Sequence, residues 1–465
     1  MPFAKTGGLG DVGGALPKAL RESGVDAALI LPLYAQTSRS LLRDLIIDNL
    51  DVGWHGVVRR TNVWHSDAGG APVFLIDAPE YFGRDSIYGF LDDHERFAFF
   101  CHAALALLPR LGAPPDVLHF NDWPCGFAAV KLQSLRAHDP YYARARSLFS
   151  IHNLAYQGLF DAAQLPWLGF AAPDERNLFL KDGAASALKA GLLASDALST
   201  VSPRYALEIQ TPEGGYGLDW LLRMRRDRLF GITNGIDYEV WNPATDPHLA
   251  ANYSADDLDG KRVCKIDLLR RFGLPQVPDR PIIATISRLV VQKGYDLIKQ
   301  AAQAILDTGA FFIALGAGAA EYEGFLQSWR DLAPQQVGIY RGYAGEPLAH
   351  QIEAGADIFL MPSLYEPCGL NQMYSMRYGT VPVVRATGGL DDTVQNFNRA
   401  DLTGTGFKFA DYSAAAMMQS LQAALDCYAE PEVWRAIQRN GMRQDFSWQA
   451  AARKYADLYR SLIEA

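Results

Sequence analysis

Pro281 to Gly294 reads PIIATISRLVVQKG: a short run dominated by apolar residues, Ile282 to Ile286, leads directly into a polar loop that carries Arg288 and Lys293 and closes on a glycine. A run this short, rich in β-branched residues and ended by a turn, predicts a fully buried strand of a parallel sheet. The same pattern recurs downstream at Phe311 to Leu315, Val337 to Tyr340, Ile358 to Met361 and Val381 to Val384, with enough chain between runs for crossover helices. Upstream it occurs at Ala28 to Leu33, Val73 to Ile76, Val117 to Phe120, Leu148 to Ile151 and Ala197 to Val201. This alternation predicts a parallel α/β architecture, and two successive doubly wound domains fit it better than one enlarged sheet.

The segment WNPATDPHLAANYSADD, Trp241 to Asp257, lies between the two series. Its Pro, Asp, Asn and Ser disfavour uninterrupted secondary structure, so the hinge is placed there. The expected division is an N-terminal domain over 1–243, a C-terminal domain over 244–445, and a final helix over 446–465. That last segment is amphipathic, with Trp448, Ala451, Tyr455, Leu458 and Tyr459 on one face, and is expected to pack back on the first domain. No apolar run precedes Phe3, so the first strand of the N-terminal domain is read as missing.

Composition narrows the function. The 465 residues carry 52 acidic and 43 basic side chains, a formal net charge of -9, which disfavours a broad nucleic-acid-binding face but leaves room for a local anion site. The cysteines, Cys101, Cys125, Cys264, Cys368 and Cys427, show no metal-ligand spacing and no disulfide framework. Free thiols in a reducing cytoplasm are expected, with no metal and no cofactor. Neither a secretory leader nor an apolar run of membrane-spanning length is found, so no membrane association is expected.

Several glycine-rich and polar segments follow strand candidates, where ligands of doubly wound domains collect. In the opening KTGGLGDV, Gly7 and Gly8 allow close backbone approach and Lys5 offers a mobile positive charge. The pattern is neither a dinucleotide fingerprint nor a P-loop, and a ligand loop and a structural turn both remain open. HFNDWPCG places Asp122, and IHNLAYQG places His152, at the ends of strand candidates. Either residue could meet sugar hydroxyls; equally, Asp122 could cap a helix and His152 could be a satisfied near-core residue. His119, inside an apolar run, reads as structural. Arg288 and Lys293 could converge on a diphosphate, or form surface ion pairs. In EPCGLNQ, Glu366 could bind donor hydroxyls or serve as a cap or salt-bridge partner, with the amides around Gly369 and Leu370 approaching the same ligand. Thr387, Gly388 and Gly389 form a second amide-rich turn, while helix capping accounts equally well for Asp391 and Asp392. Cys368 lacks a local His-Asp arrangement, so a steric role is favoured over a nucleophile.

Taken together, KTGGLGDV, HFNDW, IHNLAYQG, TVSPRYALEI, GITNGIDYEVWNP, SRLVVQKG, EPCGLNQMYSMRYGT and TGGLDDT occur in an order that closely resembles the bacterial glycogen synthase and plant starch synthase family across nearly the whole chain. The resemblance implies a retaining GT-B glycosyltransferase, an α/β protein whose two Rossmann-like doubly wound domains face a central cleft. It implies transfer of glucose from ADP-glucose to the non-reducing 4-hydroxyl of an α-1,4-glucan or glycogen, with release of ADP. By that resemblance Lys5, Gly7 and Gly8 approach the donor, and Asp122 and His152 are sugar-facing. Arg288 and Lys293 bind diphosphate, Glu366 is the acidic residue of EPCGL, and Gly388 and Gly389 lie by the phosphate. A UDP-glucose-using retaining glucosyltransferase and a catalytically weak glucan-binding homologue are the alternatives. The chain departs from the family where an Asn-Phe pair often precedes LKAG: Ser186 and Ala187 stand there instead.

Overall fold

The computed structural model describes residues 3–4, 7–342 and 345–464, so the Lys5 expectation lies outside the described residues. The chain divides into two compact units, 1–235 with 448–465, and 236–447.

The first unit holds β1 (Leu29–Pro32), β2 (Asp44–Trp54), β3 (Val57–Ser66), β4 (Val73–Asp77), β5 (Val117–Asn121), β6 (Arg146–Ile151), β7 (Leu159–Phe160), β8 (Leu180–Lys181), β9 (Ala184–Ser186), β10 (Ala197–Thr200) and β11 (Leu229–Gly231). Among the described residues they form a parallel sheet ordered β11-β10-β6-β5, a mixed sheet ordered β1-β4-β3-β2, and a small sheet ordered β7-β9-β8. The five runs read from the sequence are β1, β4, β5, β6 and β10. What the reading passed over is the antiparallel hairpin β2–β3, whose strands alternate between exposed and buried positions only near Trp54 and Thr61. A search for continuous apolar runs cannot see a strand with one wet face.

The final helix, Trp448–Glu464, belongs to this unit. Its Trp448, Ala452, Tyr455 and Leu462 pack with Val12, Leu16 and Leu20 of the helix Gly8–Glu22 and with Leu148 of β6. Tyr459 Oη and Ser150 Oγ bracket the imidazole of His119 at 2.8 and 2.6 Å, and burial pushes that imidazole down to about 3. His119 is therefore a neutral core residue that fastens the last helix to β5 and β6.

The second unit holds β12 (Ile282–Ile286), β13 (Phe311–Gly316), β14 (Val337–Arg341), β15 (Ile358–Met361), β16 (Val381–Arg385) and β17 (Phe407–Phe409) in one parallel sheet ordered β14-β13-β12-β15-β16-β17. The order reverses between β12 and β15, and a crevice opens at the carboxyl ends of such a pair. The core is continuous through β12, β13 and β15, with Ile283, Phe312 and Leu360 fully buried.

The segment 241–257, expected as the hinge, is packed into the second unit. The Trp241 ring stacks between His350 and Tyr374 at 3.8 Å from each. Buried Asp246 accepts hydrogen bonds from His350 Nδ1 and Tyr378 Oη, both at 2.6 Å. Its Pro and Asp residues do break secondary structure, but buried partners replace the hydrogen bonds they forgo. The division falls earlier, between Gly235 and Ile236, and again between Ser447 and Trp448.

Candidate functional site

In the first unit the cluster begins where β5 ends. Asp122 has φ 61°, a left-handed conformation that turns the chain sharply into the short helix Trp123–Cys125, and its N–H donates to the Ser150 carbonyl at 2.9 Å. The side chain is buried, and Oδ1 has no hydrogen-bond partner. Burial pushes its carboxyl up to about 7, against the pull of the backbone N–H groups of His152, Asn153 and Trp123. A buried, unpartnered carboxylate oxygen in a strained backbone position is costly to the fold and is the kind of feature that ligand sites retain.

His152 follows the carboxyl end of β6. Burial holds its imidazole down to about 4, so it is neutral at neutral pH. Asn121 Nδ2 donates to the His119 carbonyl at 3.4 Å, which turns Asn121 Oδ1 toward His152 Nε2 at 3.0 Å. His152 Nε2 then carries the proton and Nδ1 is left as an acceptor. Asn121 was not singled out in the sequence, although it sits beside Asp122 in the same HFND motif. Gly158, at φ 57°, lies so close to Trp123 that a Cβ would stand 2.3 Å from the indole, and this contact holds the two loops together. Ser186 caps the helix Ala187–Ala194 by accepting from Lys189 N at 3.1 Å, and its hydroxyl donates to the Gln157 carbonyl at 3.0 Å. The departure from the family thus sits in a satisfied, buried cap. Gly7 precedes the helix Gly8–Glu22 with φ 74°, a backbone that glycine adopts freely.

In the second unit the loops after β12 and β15 meet at the switch point. Lys293 Nζ donates to Glu366 Oε2 at 2.5 Å, and Ser363 Oγ donates to the same oxygen at 3.1 Å. The two side chains are 18% and 8% exposed, so the ion pair is largely withdrawn from water yet open on the ammonium side. Arg288 is exposed and reaches Gln292 Oε1 at 3.1 Å. The structure brings Lys293 and Glu366 into contact and leaves Arg288 outside that pair, bonded to Gln292 on the rim of the same loop.

Close backbone contacts fix this arrangement. A Cβ on Gly294 would stand 2.1 Å from the Pro362 carbonyl, one on Gly388 1.9 Å from the Glu366 carbonyl, and one on Gly389 2.1 Å from the Cys368 carbonyl. Gly389 N donates to the Glu366 and Pro367 carbonyls, both at 3.1 Å. The Thr387–Gly389 turn is therefore pressed onto the EPCGL loop, where Gly369 takes φ 71° and Leu370 precedes the helix Asn371–Arg377. Asp391 accepts from Lys408 Nζ at 2.7 Å, a structural ion pair. Cys368 is buried in the packed turn. The sequence reading also passed over Gly316 to Gly318, whose Ala317 carbonyl accepts from Leu289 N at 2.9 Å and so holds the Arg288 loop in place.

A half-buried lysine beside a carboxylate, held by glycine-packed loops at the switch point of one Rossmann sheet, suits a nucleotide diphosphate. A buried carboxylate and a neutral imidazole at the strand ends of the other unit suit a sugar. Residues 1–224 match the family model described as the starch synthase catalytic domain, and residues 269–441 match that described as glycosyl transferases group 1. The protein is therefore a two-domain glycosyltransferase of GT-B architecture.

The chain is 46% identical to the glycogen synthase of Anaeromyxobacter dehalogenans (strain 2CP-1 / ATCC BAA-258), over 99% of this chain and 97% of that protein. It is 43% identical to the glycogen synthase of Geobacillus thermodenitrificans (strain NG80-2), over 100% and 96%. Its structure is similar to the catalytic domain of starch synthase IV from Arabidopsis thaliana bound to ADP and acarbose, with a TM-score of 0.91 at 35% identity, covering 100% of this chain and 97% of that one. A sucrose-phosphate synthase from Thermosynechococcus elongatus shares the fold, with a TM-score of 0.60 at 19% identity, covering 97% and 92%. The chain belongs to the glycogen synthase and starch synthase family and carries the glycogen/starch synthase function.

Proposed function

We propose that the enzyme transfers glucose from ADP-glucose to the non-reducing 4-hydroxyl of an α-1,4-glucan, with retention of configuration. The observation that carries this reading is the Lys293–Glu366 pair at the β12/β15 switch point. Glu366 takes one of the three N–H donors of Lys293, so the ammonium can hold the carboxylate and a diphosphate oxygen together. Arg288 adds a second positive charge from the rim, and the two cations form the anion site without a metal ion. ADP in the related plant structure and the glycogen synthase relatives support the choice of donor and acceptor.

In this reading the bond from the anomeric carbon to the phosphate oxygen breaks while one to the glucan 4-oxygen forms on the same face. The hydroxyl proton passes to the departing phosphate oxygen, and ADP leaves with its charge balanced by Lys293 and Arg288. Asp122 accepts from glucose hydroxyls, and neutral His152 lies by the anomeric carbon without adding a positive charge to the developing cation. The chemistry requires water to be excluded while the donor bond breaks. The free thiols agree with a reducing cytoplasm, where we place the enzyme, and no described helix is long and apolar enough to cross a membrane.

The test is incubation of purified protein with glycogen and either ADP-glucose or UDP-glucose, measuring nucleotide release together with linear chain elongation. Faster coupled release and elongation with ADP-glucose is expected. A preference for UDP-glucose would overturn the donor assignment, and release without elongation would overturn the acceptor assignment.

A further inference from the structure

Gln372, the last residue of EPCGLNQ, is fully buried in the first turn of the helix Asn371–Arg377. Its Nε2 lies 3.1 Å from the Cys368 carbonyl oxygen, 3.0 Å from that of Gly369 and 3.1 Å from Thr393 Oγ1, so the two N–H bonds of one amide serve three acceptors. These partners fix the orientation of the amide, because turning it over would set Oε1 against two carbonyl oxygens. Oε1 is then buried with no partner among the described residues. The fold keeps this amide on the loop carbonyls although its own acceptor goes unsatisfied.

The contact continues through Thr393, whose Oγ1 donates to the Gly389 carbonyl at 2.6 Å and keeps its lone pairs for Gln372. Gly389 N in turn donates to the Glu366 and Pro367 carbonyls. The carbonyls of four consecutive residues, 366–369, are thus held by two groups: Gly389 N takes the first two and the Gln372 amide the last two. Gln372, Thr393 and Gly389 close a circuit that joins the EPCGL loop to the Thr387–Gly389 turn.

Pinning these carbonyls also sets the direction of the amides that follow them. In a planar trans peptide the carbonyl and the next residue's N–H point in opposite directions, and the peptides here are trans. With the Cys368 and Gly369 carbonyls drawn inward to Gln372, the N–H groups of Gly369 and Leu370 point away from it. Neither N–H donates to any described residue, and both residues are only partly buried. A Cβ on Gly369 would stand 2.6 Å from Gln372 Oε1 and 3.1 Å from Glu366 Cγ. Gly369 therefore lies between the buried amide and the carboxylate that holds Lys293, and its free N–H emerges beside that ion pair.

We infer that Gln372 is a positioning residue for the donor: by holding the Cys368 and Gly369 carbonyls it aims the Gly369 and Leu370 N–H groups at the diphosphate. Gln372 does not itself touch the donor, and Thr393 steadies its amide from the other side. The role rests on the reading that Lys293 binds the diphosphate.

The test measures dissociation constants for ADP and for adenosine, which lacks the diphosphate, together with donor and glucan KM, kcat and thermal unfolding. The variants are Gln372→Met, which keeps the length of the side chain and loses its donor, Thr393→Val, Thr393→Ser and K293A, all in the full chain. Q372M is expected to weaken ADP binding and raise donor KM by about 10-fold, with adenosine binding and glucan KM within about twofold of the parent. T393V should weaken ADP binding in the same selective way by about threefold, and T393S, which restores the hydroxyl, should match the parent. T393V against T393S decides the matter should Q372M fail to fold. If K293A loses ADP affinity while Q372M and T393V keep it, the positioning role is overturned and the diphosphate site stands. If K293A binds ADP as the parent does, the reading beneath the inference falls with it. Equal weakening of ADP and adenosine in Q372M and T393V would also overturn the inference, since a loop that has merely lost its packing does not distinguish the two ligands.

Discussion

Replacing Lys293 by alanine separates catalysis from folding in a way that can be worked through. The substitution removes the ammonium from Glu366, whose side chain is 8% exposed, and leaves the carboxylate with Ser363 Oγ on the same oxygen. Breaking a fully buried pair costs about 3–5 kcal/mol. Lys293 is itself 18% exposed and the serine bond survives, so about 1–3 kcal/mol is expected here. For a unit of this size that lowers Tm by roughly 2–12 °C. In the reaction, losing one charge-assisted donor to the leaving diphosphate should lower kcat by about 100- to 1000-fold. The double variant K293A/E366Q removes the stranded charge as well, so Tm should recover most of the loss while kcat stays low. Steady-state kinetics with ADP-glucose and glycogen, beside thermal unfolding of all variants, checks both parts. If K293A keeps kcat within about threefold, or if activity returns with Tm in the double variant, Lys293 acts through the fold and the diphosphate assignment fails.

Asp122 gives a pH signature. Its folded carboxyl titrates near 7, above the unfolded value of 3.8, so the native state binds the extra proton between those values and the group's contribution to stability falls as pH rises from about 4 to about 7. D122N should therefore unfold at a higher temperature than the parent at pH 8 and near the parent's at pH 4, while losing most of its turnover; equal differences at both pH values would contradict the buried-carboxylate account. Asn121→Ala should release the imidazole of His152 and lower kcat about 10-fold with little change in donor KM, and a change confined to KM would show that Asn121 does not orient His152. Gly389→Ala drives a Cβ to within 2.1 Å of the Cys368 carbonyl, so donor KM should rise at least about 10-fold together with a lower Tm; unaltered ADP binding would refute the coupling of the two loops.

Much of the second unit could be read from local pattern alone. Its first five strands each present a short apolar run that ends in a turn, and a parallel strand buried on both faces demands such a run. The hairpin β2–β3 escaped because one face is wet, and β17 because Phe407–Phe409 is too short to show a period. The polar composition of 241–257 marks broken secondary structure equally for a free linker and for a segment held by Trp241 and Asp246, so it could not place the boundary between the units.

By itself the sequence determined the strand-forming segments, the glycines that permit close loop packing, and the order of motifs that marks the family, because each depends on residues near one another in the chain. Only the tertiary structure decided that β12 and β15 are neighbours, and so that Lys293 and Glu366, far apart in sequence, share a proton-donating contact. It also decided that Asn121 orients His152, that Asp122 keeps a buried oxygen unpartnered, and that His119 holds the last helix. Strand adjacency and side-chain burial arise from long-range packing, in which many segments compete for the same partners, and no local pattern records which of them wins.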